Sequence, residues 1–280
     1  MEPVHFFDIL SDLPGSSKSR SRNALKTRLV LNFKGIPYSQ SFISYPDIEP
    51  LLKRLSIDPN RQGIPYTLPA ICHSSVESNK YGVLMGSLPI AMHLDMICPC
   101  PALFPSGNSS YSLALEVQKI LEDVGQNAQI LVLPKVVDIL DARGREYFER
   151  TRRARFGIPL SEVIPRDDRS TKIIKDEIKQ AISVLTIMLR GQSGKTGPFF
   201  EGHQAGYADL ILVAFLAWCG RPDKELLQEI LDVGGGELKT LWHASSLWLE
   251  GQGEDKVWKV PVQSSIGFEE IIGADTTVCR

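Results

Sequence analysis

The chain has 280 residues, with 31 Lys and Arg against 33 Asp and Glu, a formal net charge of −2. Near-neutrality argues against the basic footprint of a nucleic-acid binder, and the lack of an apolar run of about 18 residues argues against a membrane-spanning helix. Cysteines at 72, 98, 100, 219 and 279 lack the number and spacing of a disulfide framework, and the scattered histidines form no metal-ligating pair, so no metal is expected. The opening Met1-Glu2-Pro3-Val4-His5 has no basic segment leading into an apolar one, and a cytoplasmic address is expected.

In chain order, residues 5–9 read as a short strand. Residues 23–34 carry Leu25, Leu29 and Phe33 at helical spacing before Gly35-Ile36-Pro37 stops them. Residues 38–43 predict a second strand, 48–55 a helix, 67–71 and 82–85 two more strands across a polar turn, and 88–96 a helix. This βαβαββα order predicts a compact α/β unit. A linker with Pro99, Pro101 and Pro105 follows, and beyond it the strand-like alternation disappears. Helices are predicted over 111–131, 174–189, 209–218, 224–231 and 238–249, with 209–218 apolar all round and therefore central. The polar end from Gly251 is expected to be peripheral. The predicted division is 1–98, a linker over 99–110, and a helical domain over 111–280.

Four features suggest chemistry. Ser21 leads the first helix from a loop that also holds Lys18, Arg20 and Arg22, where a hydroxyl either caps the helix or donates to a bound anion. Leu68-Pro69 enters the third strand, and proline there implies an edge position or a cis bond that leaves the preceding main chain open to an extended ligand. Gly86-Ser87 precedes a helix with Pro89 in its first turn, so Ser87 is predicted as an N-cap and the helix start as an anion site. Gly191-Gln192-Ser193-Gly194-Lys195-Thr196 suggests a phosphate loop. It has Leu189 where that motif needs glycine and a helix where it needs a strand, so a turn between helices is predicted. The arginines from 143 to 155, interleaved with Glu146 and Glu149, are expected to form a solvated, partly salt-bridged helix face.

Together, the βαβαββα unit, Leu-Pro before its third strand, a Ser-led helix after the fourth, a Pro-rich linker and a helical second half resemble the cytosolic glutathione transferases. More narrowly, Ser21-Arg22-Asn23-Ala24-Leu25, Tyr45-Pro46-Asp47-Ile48-Glu49-Pro50, Tyr66-Thr67-Leu68-Pro69-Ala70-Ile71, Tyr147-Phe148, Arg155-Phe156-Gly157 and Tyr207-Ala208-Asp209 are similar to the fungal, etherase-related, serine-type branch. The resemblance implies an α/β plus all-α architecture, a thioredoxin-like domain followed by a helical bundle, usually as a homodimer, with glutathione as co-substrate. It implies Ser21 and Asn23 at the glutathione sulfur, Leu68 and cis-Pro69 at its cysteinyl part, and Gly86 and Ser87 at its γ-glutamyl end. Lys53 or Arg61 would meet its glycyl carboxylate. Gly86 stands where the family usually has an acidic residue, Arg22 where related proteins often have proline, and Gly206 where a Ser or Thr cap is usual.

The expected function is glutathione activation for attack on an electrophilic apolar small molecule, possible work for fungal secondary metabolism. A trans/cis isomerase of a conjugated metabolite, a reductive ether cleaver and a non-catalytic binding protein are the alternatives. The substrate pocket is expected between the Ser21 loop and the 111–131 helix.

Overall fold

The computed structural model describes residues 3–257. Calls on the stretch beyond 257, including the end of the predicted helical domain and Cys279, lie outside the described residues. The elements run β1 (Val4–Ile9), α1 (Arg22–Phe33), β2 (Tyr38–Ile43), α2 (Ile48–Arg54), β3 (Ala70–Cys72), β4 (Val83–Met85) and α3 (Ser87–Ile97), then α4 (Asn108–Val136), α5 (Ala142–Phe156), α6 (Asp168–Arg190), α7 (Tyr207–Gly220), α8 (Lys224–Leu231), α9 (Glu237–Ala244), α10 (Ser246–Glu250) and β5 (Glu254–Asp255).

The sheet order is β4-β3-β1-β2-β5. β1 and β2 are parallel from Val4 opposite Tyr38 to Ile9 opposite Ile43, whereas β3 runs antiparallel to β1 with Ala70 opposite Phe7. Every residue of β1 is buried, and its two-residue period divides them between layers. Val4 and Phe6 join the core shared with α1 and α3. Phe7 and Ile9 join the core under α2, with Leu51, Leu52 and Leu68.

His5 shows how the polar part of this strand is satisfied. Its Nδ1 meets Ser39 Oγ at 2.8 Å and its Nε2 meets Ser41 Oγ at 3.0 Å. Burial, with the charge of Lys256 adding, pushes its pKa down to about 4. An unfolded histidine takes its proton near pH 6.5, so this contribution to stability is full above that pH and is lost as pH falls through 4. The expected result is a His5 ring titration near pH 4 by NMR, with unfolding free energy dropping by about 3 kcal/mol as pH falls from 6.5 to 4. A midpoint near 6.5 would contradict this.

Beyond α3, the helices pack around α7, in which every residue from Tyr207 to Cys219 is buried. Gly206 caps α7 with its backbone, and Asp209 takes the reciprocal role. Its carboxylate accepts from Gly206 N at 2.8 Å and Phe200 N at 2.9 Å. Burial raises the Asp209 pKa to about 7. Aspartate side chains also cap α5, α6 and α8, at Asp141, Asp167 and Asp223. The phosphate-loop look-alike is a turn between helices, in which Lys195 Nζ folds back onto the Leu189 carbonyl at the end of α6. No helix among the described residues is long and apolar enough to cross a membrane.

One expectation needs correction: the predicted helix over 238–249 is two helices, broken at the buried Ser245. The chain from Gly251 to Val257 runs at the surface, as its polar composition implies, but as part of the sheet. It returns to the sheet as β5, parallel to β2, with Glu254 opposite Ser39 and Asp255 opposite Gln40. Lys256 N donates to Gln40 O at 2.8 Å, and Asn32 Nδ2 donates to the Trp248 and Gly251 carbonyls at 2.6 and 3.0 Å.

Candidate active site

The carboxyl ends of β1 and β2 lie at one end of the sheet. Because Ala70 pairs with both Phe7 and Met85, the Leu68-Pro69 turn before β3 and the Gly86-Ser87 corner after β4 come to that same end. Ser21, at the start of α1, is reached from the carboxyl end of β1. Topology thus gathers residues distant in sequence at an edge where α/β folds commonly bind ligands.

The loop carrying Ser21 is fixed from the helical half. Arg221, just past α7, donates to Ser19 O at 3.1 Å, Ser17 Oγ at 3.1 Å and Ser16 O at 3.4 Å. Ser11 Oγ donates to Lys18 O at 2.8 Å. Ser21 itself is half-buried and occupies the N-cap position with extended backbone, and its side chain makes no capping hydrogen bond. The two possibilities open from sequence are thereby narrowed: the hydroxyl does not cap α1.

Asn23 is exposed two residues on, and its Oδ1 accepts from Lys26 Nζ at 3.1 Å. That contact leaves the amide nitrogen without a hydrogen bond to a described residue. Lys26 also donates to Gln118 Oε1 of α4 at 2.5 Å. Burial, reinforced by the Arg22 charge, pushes the Lys26 pKa down to about 7. Arg22 turns toward the helical half and donates to Leu121 O at 3.1 Å, its guanidinium 5.7 Å from the Trp218 ring. A Cβ at Gly125 of α4 would lie 2.7 Å from Arg22 Nη1, so a larger residue there would make the guanidinium shift. The space expected to form a pocket between the Ser21 loop and α4 is thus partly occupied by Arg22 and Lys26.

Leu68 and Pro69 are buried and joined by a cis peptide bond. Pro69 O accepts from Gly86 N at 3.0 Å, tying the turn to the α3 corner. Among the described residues, none hydrogen-bonds to the Leu68 main chain. The expected cap at Ser87 moves by one residue: Gly86 is the N-cap and Ser87 the first helical residue. Gly86 has φ +101°, a region that side-chain-bearing residues rarely adopt, which gives glycine a backbone reason to stand here. The Ser87 side chain lies against the buried Tyr207 hydroxyl of α7.

The two cations expected near the glycyl end differ in placement. Lys53 pairs with Glu49 at 2.6 Å and stands 5.5 Å from the Tyr66 ring, two residues before Leu68. Arg61 is exposed in the intervening loop and forms no ion pair with a described residue.

The arginine-rich α5 is only partly the solvated face expected. Arg143 pairs with Asp47 through two contacts of 2.8 and 2.7 Å. Arg152 instead is half-buried, 4.2 Å from the Phe148 ring and 5.6 Å from the Tyr45 ring. Its place one turn after Phe148 was the available signal, since i and i+4 share a helix face.

A thioredoxin-like sheet with a Leu-cis-Pro turn before β3, followed by a helical half, is the architecture of the glutathione transferase fold. The chain belongs to the glutathione S-transferase family. Glutathione S-transferase-like protein ustS of Aspergillus flavus is 56% identical over 268 residues, 94% of this chain and 97% of that protein. The family model described as glutathione S-transferase, C-terminal domain, matches residues 115–248. Among solved structures, the Ceriporiopsis subvermispora transferase CsGST63524, in complex with glutathione, superposes with a TM-score of 0.77 at 26% identity. It covers 88% of this chain and 98% of its own. GSTFuA3 of Phanerochaete chrysosporium has the same fold, with a TM-score of 0.76 at 24% identity over 89% of this chain and 98% of its own.

Proposed function

We propose that this protein is a glutathione transferase that activates the thiol of glutathione for attack on an electrophilic apolar small molecule. The observation that carries the reading is the Ser21 hydroxyl, placed at the α1 N-terminus and making no capping bond. Glutathione supplies the nucleophilic sulfur. The residues present fit it: a hydroxyl donor not spent on capping, a Leu68 main chain without a hydrogen-bond partner among the described residues, and a helix N-terminus at Gly86-Ser87.

In this reading Ser21 Oγ–H donates to the thiolate, and the Asn23 amide, held by Lys26, presents a second donor. The positive end of the α1 dipole favours the same negative charge. A thiol near pKa ~8.5 is mostly protonated at neutral pH, and each unit of lowering needs about 1.4 kcal/mol. A charge-assisted hydrogen bond with a helix N-terminus supplies roughly two units. The Leu68 main chain pairs with the cysteinyl unit, and the start of α3 takes the γ-glutamyl carboxylate. Lys53, brought to this turn through Tyr66, is assigned the glycyl carboxylate ahead of Arg61. We assign residues 1–98 to glutathione and 111–280 to the second substrate, joined by the linker at 99–110, with a homodimer as the assembly. The likeness to ustS supports a biosynthetic setting.

The backbone reason for Gly86 weakens the case for a non-catalytic binding protein, because that case rested on the missing acidic side chain. Retention on immobilised glutathione, followed by mass analysis of products from electrophiles and conjugated polyenes, tests the proposal. Retention and a product heavier by one glutathione are expected. An isomer of unchanged mass formed with catalytic glutathione would assign the isomerase, a cleaved ether the etherase, and retention without turnover the binding protein.

A further inference from the structure

Arg20 directly precedes Ser21 and is 3% exposed. Its guanidinium lies 5.2 Å from the ring of Tyr45, which follows the carboxyl end of β2. Arg152 of α5 reaches the same ring at 5.6 Å. Two cations therefore converge on one tyrosine at the sheet end that holds Ser21.

Neither guanidinium is fully satisfied by the described residues. Arg20 Nε and Nη2 and Arg152 Nε are buried without a hydrogen-bond partner. The other arginines packed at this end each hold a carbonyl or carboxylate: Arg22 has the Leu121 carbonyl, Arg28 has Asp8 and Gln40 although its Nε is also without a partner, and Arg221 has the Ser16 and Ser19 carbonyls. Arg152 Nη1 reaches only its neighbour, Thr151 Oγ1, at 2.9 Å. The charged and titratable groups that act most on Arg152 are Tyr45, Arg155, Tyr147 and Arg20. A buried, unpaired like-charge pair is costly, and the group that relieves it is an anion.

We propose that Arg20, Tyr45 and Arg152 form a second subsite that holds the carboxylate of a flat, apolar co-substrate. Nε and Nη2 are the side-on edge of a guanidinium, whose two parallel N–H groups match the two oxygens of a carboxylate. The flat frame is suggested by the aromatic cluster beside the two guanidiniums: Tyr45 stacks on Tyr147 with centroids 6.1 Å apart and planes 8° from parallel, and Phe148 lies 5.3 Å from Tyr45. The assignment deepens the transferase reading, since it names the substrate class for the site beside Ser21.

The test compares binding of 3,5-dinitrobenzoate and 1,3-dinitrobenzene to the full chain by calorimetry, without turnover. The benzoate is expected to bind about tenfold tighter, and Arg152→Gln to reduce that preference about tenfold. Arg20→Gln should act in the same direction, and Arg153→Gln, on the exposed neighbour, should leave the preference in place. Equal binding of the two probes, or a preference that survives Arg152→Gln, overturns the subsite. Weaker glutathione binding in Arg152→Gln, with the benzoate preference retained, gives the arginines to the tripeptide and overturns it as well. Absence of glutathione binding by the parent protein would strike the transferase reading alone, because the benzoate comparison does not depend on it.

Discussion

Ser21→Ala is expected to lower the rate of glutathione conjugation about 10- to 100-fold near pH 6.5, the worth of one hydrogen bond to a charged group. Because Ser21 makes no side-chain cap to α1, the usual penalty for removing a capping serine does not apply, and the thermal midpoint should barely move. The bound glutathione thiol should titrate one to two units higher, as each unit corresponds to about 1.4 kcal/mol. Ultraviolet difference spectroscopy follows the thiolate directly, and the activity deficit should narrow as pH rises above ~8.5. Unchanged activity, or a loss equal at every pH, would remove Ser21 from the site. Asn23→Ala should give a smaller loss of the same kind, since Lys26 keeps only the orientation of that amide.

The second large effect is one of stability. Arg28 is 1% exposed and links three regions. Its Nη2 lies 3.4 Å from Asp8 Oδ2 and donates to Gln40 Oε1 at 2.7 Å, and its Nη1 reaches the Gly251 carbonyl at 3.3 Å. The guanidinium is also 5.7 Å from each of the Phe6 and Phe42 rings. Arg28→Met keeps the hydrocarbon stem but strands Asp8 inside the protein, and loss of one partner of a buried pair costs about 3–5 kcal/mol. Burial raises the Asp8 pKa and Arg28 opposes that rise. Without Arg28 the carboxyl should take up its proton more readily. A group with a raised folded pKa gives stability that is present at low pH and lost as pH rises, so the defect should be smaller at pH 5 than at pH 7. Urea titration at the two pH values measures this, and Asp8→Asn combined with Arg28→Met should restore part of the loss. A double variant as unstable as the single one would show that the charge pair is not the cause.

The order of strands and helices through α8 could be read from local periodicity, because each element buries one face against a neighbour and repeats at 2 or 3.6 residues. β5 could not. Glu254-Asp255 has no apolar alternation, and only pairing with β2, some two hundred positions earlier, makes it a strand. The break at Ser245 was hidden for a related reason, since Leu238, Leu241 and Leu249 keep a helical rhythm across it. Within the site, Ser21, Leu68 and Ser87 were accessible from their places at element starts. Arg20 could be read only as part of an electropositive loop, and Arg152 only as part of a solvated helix face, because the arginine fork signals solvent in a sequence. Only the fold shows which forks lie against Tyr45 with donors unspent.

The return of the chain as β5 bears on how this protein can be divided. Its two halves are not beads on a string: the last described residues are stitched into the outer margin of the sheet laid down by the first. The stitch also supplies acidic residues to an edge that would otherwise present bare peptide groups for adhesion to other chains. A cut near residue 100 would therefore leave the amino-terminal piece with a raw seam along β2, and would unpin Arg28 and Asn32 from Gly251.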